Sequence, residues 1–324
     1  MKMAIVGAGA LGGTFGALLT RAGIDVTLIE IDKKRVEAIQ KNGLIMHMPD
    51  GSVINVPVKI TDDPASVGVM DLVQISVKGY HTESAVKMAQ PMIGPDTYVM
   101  SVQNGLGNLD IIAKYVPKER VVGGVTAHSA MVLGPNEIKY NGGVGGVWIG
   151  RYDGSEDPRL NEIAKTLTEA GFETQIIEGN ILNPIWRKLL ANVACNCVAA
   201  ITGFTGTQLI ECEETNRLIR DLAVETFQVA KALGLHFWGI GGDRTKEMDD
   251  PAEFVIHALS GVGDNKISML QDIEAGRRTE IDTLNGKVWE IGEKLGVPTP
   301  LNKAMTLLVK AIEKKPLIQK KSGA

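Results

Sequence analysis

The stretch that decides the fold is MAIVGAGALGGTFGALLTRAGIDVTLIE, residues 3–30. Its apolar start, 3–6, predicts a β-strand, and a helix over about 11–22 and a second strand over 26–30 follow. Between the first strand and the helix lies the pattern GxGxxG, formed by Gly7, Ala8, Gly9, Ala10, Leu11 and Gly12. In that context Gly7 permits a tight turn, Gly9 lets a diphosphate approach the backbone, and Gly12 lets helix and strand pack closely. The stretch therefore predicts a Rossmann unit with a dinucleotide bound at the helix N-terminus, the alternative being a glycine-rich turn without nucleotide.

Residues 3–20 carry no charge, which is also a property of signal peptides and membrane spans. A span would hardly hold five glycines within ten positions, as this segment does with Gly7, Gly9, Gly12, Gly13 and Gly16. We therefore expect the folded domain to start at Met1 and the protein to have no membrane partner.

The residue that ends the second strand bears on the choice of cofactor. Glu30 lies where a carboxylate accepts hydrogen bonds from the ribose hydroxyls of NAD and repels the 2′-phosphate of NADP. Lys33, Lys34 and Arg35 follow and offer positive charge to such a phosphate. We expect NADH to be preferred and NADPH to be possible; alternatively, Glu30 only terminates the strand and the basic residues form a solvated helix face.

Composition narrows the classes of protein. The 324 residues suggest about two domains. The 34 Lys and Arg against 38 Asp and Glu give a net charge of −4, without the overall basic character of nucleic-acid binders. The odd number of cysteines, Cys195, Cys197 and Cys212, supports no disulfide framework. We find no metal-ligand spacing, and we expect a cytoplasmic protein without a nucleic-acid partner.

The order of patterns predicts an α/β fold: an N-terminal Rossmann doubly wound sheet followed by an all-helical C-terminal domain. Strands are predicted over 3–6, 26–30, 71–77, 97–102 and 121–126, with two short strands within 45–60 around the turn Pro49-Asp50-Gly51. Antiparallel strands within 127–149 are expected to complete the sheet. The predicted domains are 1–180, which binds the dinucleotide, and 181–324, which binds the substrate.

The sequence patterns of the C-terminal half predict helices only. Asn183 and Pro184 are suited to the N-cap and first position of a new helix. Further helices are predicted over 207–233, 251–258, 266–275, 280–295 and 301–314, the fourth capped by Thr279 with Asp282 three positions on.

The helix over 183–201 is apolar on most sides but carries a polar stripe, Lys188, Asn192 and Asn196, spaced four and four. A lysine in such surroundings needs a carboxylate or a cleft, and desolvation lowers its pKa toward a value suited to proton donation. The alternative is a lysine that extends to solvent beside two structural asparagines.

Several strings together resemble the 2-dehydropantoate 2-reductase (ketopantoate reductase) family over nearly the whole chain. Besides the fingerprint, these are Val77-Lys78, Gln103-Asn104-Gly105, Lys188-Leu189-Leu190-Ala191-Asn192, the 265–273 string NKISMLQDI and the 276–282 string GRRTEID, the last being the most specific. The resemblance implies that substrate and nicotinamide meet between the Rossmann and helical domains. It assigns Lys188 as the proton donor to the keto oxygen and Glu280 as the carboxylate that orients the reacting groups. It further implies substrate contacts from Asn192, Asn196, Asn265 and Ser268, and cofactor contacts from Lys78, Asn104 and the backbone of Ala130.

The sequence departs from many members of that family near the substrate and cofactor positions. Cys197 stands where proline is frequent, and Ile267 precedes Ser268 where paired serines are frequent. The arginine that many members carry after the second strand for NADP is absent, and Glu30 lies in that neighbourhood. We therefore expect an NAD(P)H-dependent reductase of a small 2-keto acid, with 2-dehydropantoate to pantoate, a step of pantothenate biosynthesis, as the leading case, acting as a homodimer. The alternatives are an opine or 3-hydroxyacid dehydrogenase and, in a different class, a non-catalytic NAD-sensing protein. His128 is a second candidate acid.

Overall fold

The computed structural model describes residues 1–143, 146–238 and 246–322, and side chains up to Lys315. The chain forms two compact units. The first contains Met1–Gln103 and Gly107–Leu182, and the second contains Asn104–Leu106 and Asn183–Ala324. A three-residue loop segment from the N-terminal half thus belongs to the C-terminal unit.

The first unit alternates strands and helices. Its elements are β1 (Lys2–Val6), α1 (Ala10–Arg21), β2 (Asp25–Ile29), α2 (Lys33–Asn42), β3 (Leu44–His47), β4 (Val53–Val56), β5 (Lys59–Thr61), β6 (Leu72–Ile75), α3 (Thr82–Ala89), β7 (Tyr98–Ser101), α4 (Asn108–Ile112), β8 (Val121–Thr126), β9 (Ser129–Gly134), β10 (Glu137–Gly142), β11 (Val147–Arg151), α5 (Arg159–Glu169) and β12 (Thr174–Ile176).

The main sheet has eight strands in the order β12-β11-β8-β7-β6-β1-β2-β5. All neighbours are parallel except β8 and β11. Strand order reverses between β1 and β6, and in open α/β sheets ligands bind at the carboxyl ends of the strands beside such a reversal. The predicted Rossmann doubly wound sheet is confirmed.

The expectation that strands within 127–149 complete this sheet is wrong in part. Only β11 joins it, while β9 and β10 form a second, four-stranded sheet in the order β4-β3-β10-β9. This sheet packs its apolar side chains on α1, where Gly13 leaves room: a Cβ there would lie 2.5 Å from Ile138 Cδ1. Alternating apolar residues predicted strands correctly, but alternation does not specify which strand becomes the neighbour.

The regular elements described in the C-terminal part are helices, which agrees with the prediction. They are α6 (Leu182–Thr202), α7 (Gly206–Glu211), α8 (Glu213–Ala232), α9 (Pro251–Ser260), α10 (Ser268–Glu274), α11 (Asn285–Leu295) and α12 (Pro300–Ser322). Within the described ranges, no helix is both long enough and apolar enough to cross a membrane.

Two helix starts differ from the prediction. Asn183 is not the N-cap of α6, because that helix begins at Leu182, whose N–H donates to Asn180 Oδ1. The helix predicted from Glu280 begins only at Asn285. Thr279 Oγ1 accepts from Ile281 N, so the expected cap stabilises a turn over 280–284 that precedes the helix.

Two other helices have different extents. The helix predicted over 207–233 is two helices, α7 and α8, because Cys212 is extended, with φ −78° and ψ 118°. The last helix, α12, continues past Lys314 to Ser322.

Candidate active site

Two glycines of the fingerprint are required by close packing. Gly7 has a φ of +99°, and a Cβ there would lie 2.8 Å from Cγ1 of Val77, which follows β6. A Cβ at Gly12 would lie 2.0 Å from the carbonyl oxygen of Gly7. Any side chain at either position would therefore push α1 away from the sheet.

Gly9 differs from its neighbours because the space beside it is open. It is the N-cap of α1 and, as a glycine, has no side chain that could cap the helix. No atom lies within 4 Å of the position that a Cβ would take. The first turn of α1 carries no acidic side chain. Unpaired N–H groups at such a helix start favour an anion, so the loop fits the diphosphate of a dinucleotide.

Glu30 has more partners than the sequence indicated. Its Oε2 accepts from Ala8 N at 2.9 Å, and its Oε1 accepts from Ile31 N at 2.8 Å and Asp32 N at 3.1 Å. A carboxylate oxygen can accept two hydrogen bonds, so Oε2 keeps capacity for one ribose hydroxyl. Glu30 therefore joins the end of β2 to the fingerprint loop in addition to any cofactor contact.

The three basic residues after Glu30 do not share one environment. Lys33 and Lys34 are exposed, whereas Arg35 is only 6 % exposed. Arg35 Nε donates to the carbonyl oxygen of Ala8 at 2.6 Å. Burial lowers the pKa of the Arg35 guanidinium, and the charges of Glu30 and Asp32 oppose this effect. Sequence reasoning missed the burial of Arg35, because nothing in a run of basic residues indicates which one is buried.

The remaining predicted cofactor residues lie in the first unit at loop and strand positions. Lys78 follows β6, and its carbonyl oxygen accepts from His81 N at 2.8 Å. Ala130 lies on β9 opposite Tyr140 of β10.

The predicted acid, Lys188, is on α6 in the second unit. Its Nζ donates to Asn104 Oδ1 at 2.6 Å. Burial lowers the pKa of Lys188 to about 8, and the charge of Glu280 acts in the opposite direction. Lys188, Asn104 and Glu280, which the sequence predicted separately, therefore come together.

Backbone contacts fix Asn104 relative to Glu280. Leu106 N donates to the carbonyl oxygen of Thr283 at 2.9 Å, and Thr283 N donates to that of Glu280 at 3.0 Å. Gly105, with a φ of +81°, lies so close that a Cβ would be 2.7 Å from the Thr283 carbonyl oxygen. Sequence reasoning did not assign Thr283, although this residue directly follows the string GRRTEID.

Asn192 and Asn196 continue the polar face of α6 beyond Lys188. Asn196 is only 5 % exposed. Neither amide side chain hydrogen-bonds to another residue in the described part of the protein. Asn192 is half-buried, and because amides removed from solvent normally have partners, the side chains of Asn192 and Asn196 are available to a polar ligand.

Asn265 lies between α9 and α10, Ser268 lies at the start of α10, and both are exposed. Asn265 Nδ2 donates to the carbonyl oxygen of Val262 at 2.8 Å, and Ser268 is the first residue of α10. Among described residues, no hydrogen bond links either one to Lys188, Asn192 or Asn196.

Comparison with known proteins identifies the family. Residues 3–154 match the family described as ketopantoate reductase PanE/ApbA, and residues 180–313 match its C-terminal domain. A 2-dehydropantoate 2-reductase of Pyrococcus horikoshii is 34% identical over 97% of this chain and 98% of its own.

Solved structures agree in fold. The crystal structure of a PanE/ApbA family ketopantoate reductase from Ralstonia eutropha superposes with a TM-score of 0.86, at 31% identity over 97% of this chain and 99% of that one. The ternary structure of D-mandelate dehydrogenase with NADH and anilino(oxo)acetate gives a TM-score of 0.87, at 29% identity over the same shares. The predicted resemblance and enzyme class are confirmed: the chain is an oxidoreductase that belongs to the ketopantoate reductase family.

Proposed function

We propose that this protein reduces 2-dehydropantoate to pantoate with NAD(P)H. The observation that carries the proposal is the desolvated Lys188, hydrogen-bonded to Asn104 and influenced by the Glu280 charge. Two available amides follow Lys188 on the same helix. In this proposal residues 1–180 bind the dinucleotide and residues 181–324 bind the keto acid.

The chemistry follows from the charges involved. A reduced nicotinamide, when bound, supplies a hydride to the keto carbon, and this leaves negative charge on the carbonyl oxygen. Lys188, as an ammonium, stabilises that charge and then donates a proton to the oxygen. Asn104 orients Nζ, and Glu280 raises the pKa of Lys188 and so favours its protonated form. Asn192 and Asn196 bind hydroxyl and carboxylate oxygens without adding charge, and the contacts assigned to Asn265 and Ser268 are part of the same proposal.

We further propose that the dinucleotide binds at the fingerprint, with Lys78, Asn104 and the Ala130 backbone toward its nicotinamide end. Glu30 favours NADH, because Oε2 can accept from a ribose hydroxyl while its charge repels a 2′-phosphate. The test is the ratio of kcat/KM for NADH to that for NADPH. Glu30→Ala should bring this ratio closer to one. A tenfold preference of the wild-type protein for NADPH would contradict the assignment.

A second candidate reaction comes from the equally similar D-mandelate dehydrogenase structure. Both reactions reduce a 2-keto acid, so Lys188 would have the same role and only the substrate side chain would differ. The deciding experiment measures NADH and NADPH oxidation with 2-dehydropantoate, phenylglyoxylate and pyruvate. A kcat/KM highest for 2-dehydropantoate supports the first proposal, and one highest for phenylglyoxylate supports the second.

We also propose that the protein is cytoplasmic and forms a homodimer. Two adjacent large apolar side chains on α12, Leu307 at 53% and Leu308 at 48%, are unusually exposed and form the surface to test first. Light scattering after size exclusion should give twice the mass of the chain, and a monomer mass would contradict the dimer.

A further inference from the structure

Two charged side chains hydrogen-bond to consecutive peptide groups of the fingerprint loop. Glu30 Oε2 accepts from the N–H of Ala8, and Arg35 Nε donates to the C=O of Ala8 at 2.6 Å. Ala8 itself is fully buried. Both polar atoms of this residue's backbone therefore have side-chain partners from the β2–α2 region.

Arg35 also fixes a second segment. Its Nη1 donates to the carbonyl oxygens of Gly134 at 3.1 Å and Pro135 at 2.9 Å, in the turn between β9 and β10. One guanidinium thus joins the fingerprint loop to the second sheet. A planar group with five donors can hold three carbonyl oxygens at once, which an ammonium on a flexible chain does less well.

The contact with the Ala8 carbonyl determines where the next N–H points. The peptide between Ala8 and Gly9 is trans, so its N–H is directed opposite to its C=O. Because the Ala8 C=O points toward Arg35 Nε, the N–H of Gly9 points away from Arg35. Gly9 is the N-cap of α1 and has open space beside it. The contact therefore presets a donor at the place where a diphosphate would lie.

Arg35 is badly placed for the role suggested by its position in the basic triplet. Its side chain is buried, Nε and Nη1 are occupied by carbonyl oxygens, and Nη2 is buried without a hydrogen-bond partner among the described residues. A 2′-phosphate carries charge and needs accessible donors, and in this triplet the exposed residues are Lys33 and Lys34.

We propose that Arg35 is a positioning residue of the phosphate-binding loop, which orients the Ala8–Gly9 peptide for the dinucleotide diphosphate and does not discriminate between NADH and NADPH. The proposal rests on the dinucleotide binding proposed above. Binding of NADH by the wild-type protein tests that function separately, before any variant is compared.

The experiment measures Kd for NADH and NADPH by fluorescence on the cofactor-free protein, with Arg35→Met, Arg35→Lys and the exposed control Lys34→Met. Arg35→Met should weaken both cofactors about tenfold, with the NADH to NADPH ratio changed less than twofold. Arg35→Lys should restore part of the affinity for both. Lys34→Met removes the same charge one position away and should leave the NADH Kd unchanged.

Hydrogen exchange of the cofactor-free proteins supplies a readout independent of binding. The amides of residues 7–12 should exchange faster in Arg35→Met, while those of the central strand β8 keep wild-type protection. A loss of affinity for NADPH alone would overturn the proposal in favour of a 2′-phosphate contact. Unchanged Kd values for both cofactors would overturn it in favour of a purely structural role. If Arg35→Met does not fold, the same comparison of the NADH and NADPH Kd values is made with Arg35→Lys.

Discussion

Lys188 Nζ and Asn104 Oδ1 lie 2.6 Å apart, although 84 positions separate the two residues in the chain. Asn104 follows β7 of the Rossmann sheet, yet it belongs to the compact unit that contains α6. The amide oxygen gives the desolvated ammonium a neutral acceptor, so Lys188 is oriented without the large rise in pKa that direct pairing with a second carboxylate would cause.

Replacement of the proposed acid should reduce turnover without loss of cofactor. We expect Lys188→Ala to lower kcat by about 10² or more, the range that general acid catalysis supplies, while the NADH Kd stays near the wild-type value. The matched control is Lys287→Ala, because that lysine carries the same charge and pairs with Glu290 within α11. Near wild-type turnover of a folded Lys188→Ala would contradict the mechanism, and His128 would become the next candidate acid.

The pH profile should report the pKa of Lys188. Only the protonated lysine can donate, so kcat/KM for keto-acid reduction should be level below about 8 and fall as pH rises through that value. Glu280 raises this pKa, and Glu280→Gln should therefore move the inflection to lower pH. Glu290→Gln, which alters ion pairs with Lys287 and Lys294, should leave the inflection in place. An inflection that Glu280→Gln leaves unmoved would remove Lys188 as the titrating group.

Gly105 should matter for catalysis as well as for stability. An alanine there would meet both a φ of +81° and the Thr283 carbonyl oxygen at 2.7 Å, which would displace the neighbouring Asn104. Gly51→Ala is a suitable control, because Gly51 has a φ of +84° but no atom within 4 Å of a Cβ. Both variants should lose about 1–2 kcal/mol of unfolding free energy from the backbone conformation. Only Gly105→Ala should also lose kcat, and equal kcat in the two variants would show that Asn104 is positioned in another way.

The amides and hydroxyl assigned to the substrate should act on KM. Asn192→Ala and Ser268→Ala should raise KM for the keto acid, since they remove hydrogen-bonding groups, while the NADH Kd remains close to wild type. Thr202, which hydrogen-bonds the Val198 carbonyl oxygen on the same helix, provides the control Thr202→Ala. Equal losses in KM and in NADH affinity would mean that Asn192 and Ser268 support the fold only.

Gly9 allows a direct test of the dinucleotide site. Gly9→Ala should leave the melting temperature nearly unchanged, because φ is −65° and the space is open, but it should weaken NADH binding by placing a methyl group where the diphosphate approaches. Gly12→Ala, with a Cβ 2.0 Å from the Gly7 carbonyl oxygen, should instead destabilise the protein. Unaltered NADH affinity in Gly9→Ala would indicate that the dinucleotide binds elsewhere.

Local patterns in the sequence were sufficient for the class of fold and for the helix that carries Lys188, the proposed acid. A fingerprint between an apolar strand and a helix predicts a Rossmann unit because two of its constraints are local: the positive φ of the turn at Gly7 and the contact of Gly12 with the Gly7 carbonyl oxygen. The spacing of Lys188, Asn192 and Asn196 likewise determines that they share a face, because helix geometry is a property of neighbouring residues. The helix starts predicted at Asn183 and Glu280 differ from the observed starts at Leu182 and Asn285, since caps depend on side chains that compete for the same N–H groups.

The tertiary structure alone decided which distant groups meet. Periodicity predicts strands within 127–149 but does not choose between the main sheet and a pairing with β3, because that choice depends on packing against α1. Nothing in Lys33, Lys34 and Arg35 distinguishes the arginine that is buried against Ala8 from the two lysines in solvent. The contact of Asn104 with Lys188 depends in the same way on long-range packing, because hydrogen bonds between residues 84 positions apart leave no trace in local spacing.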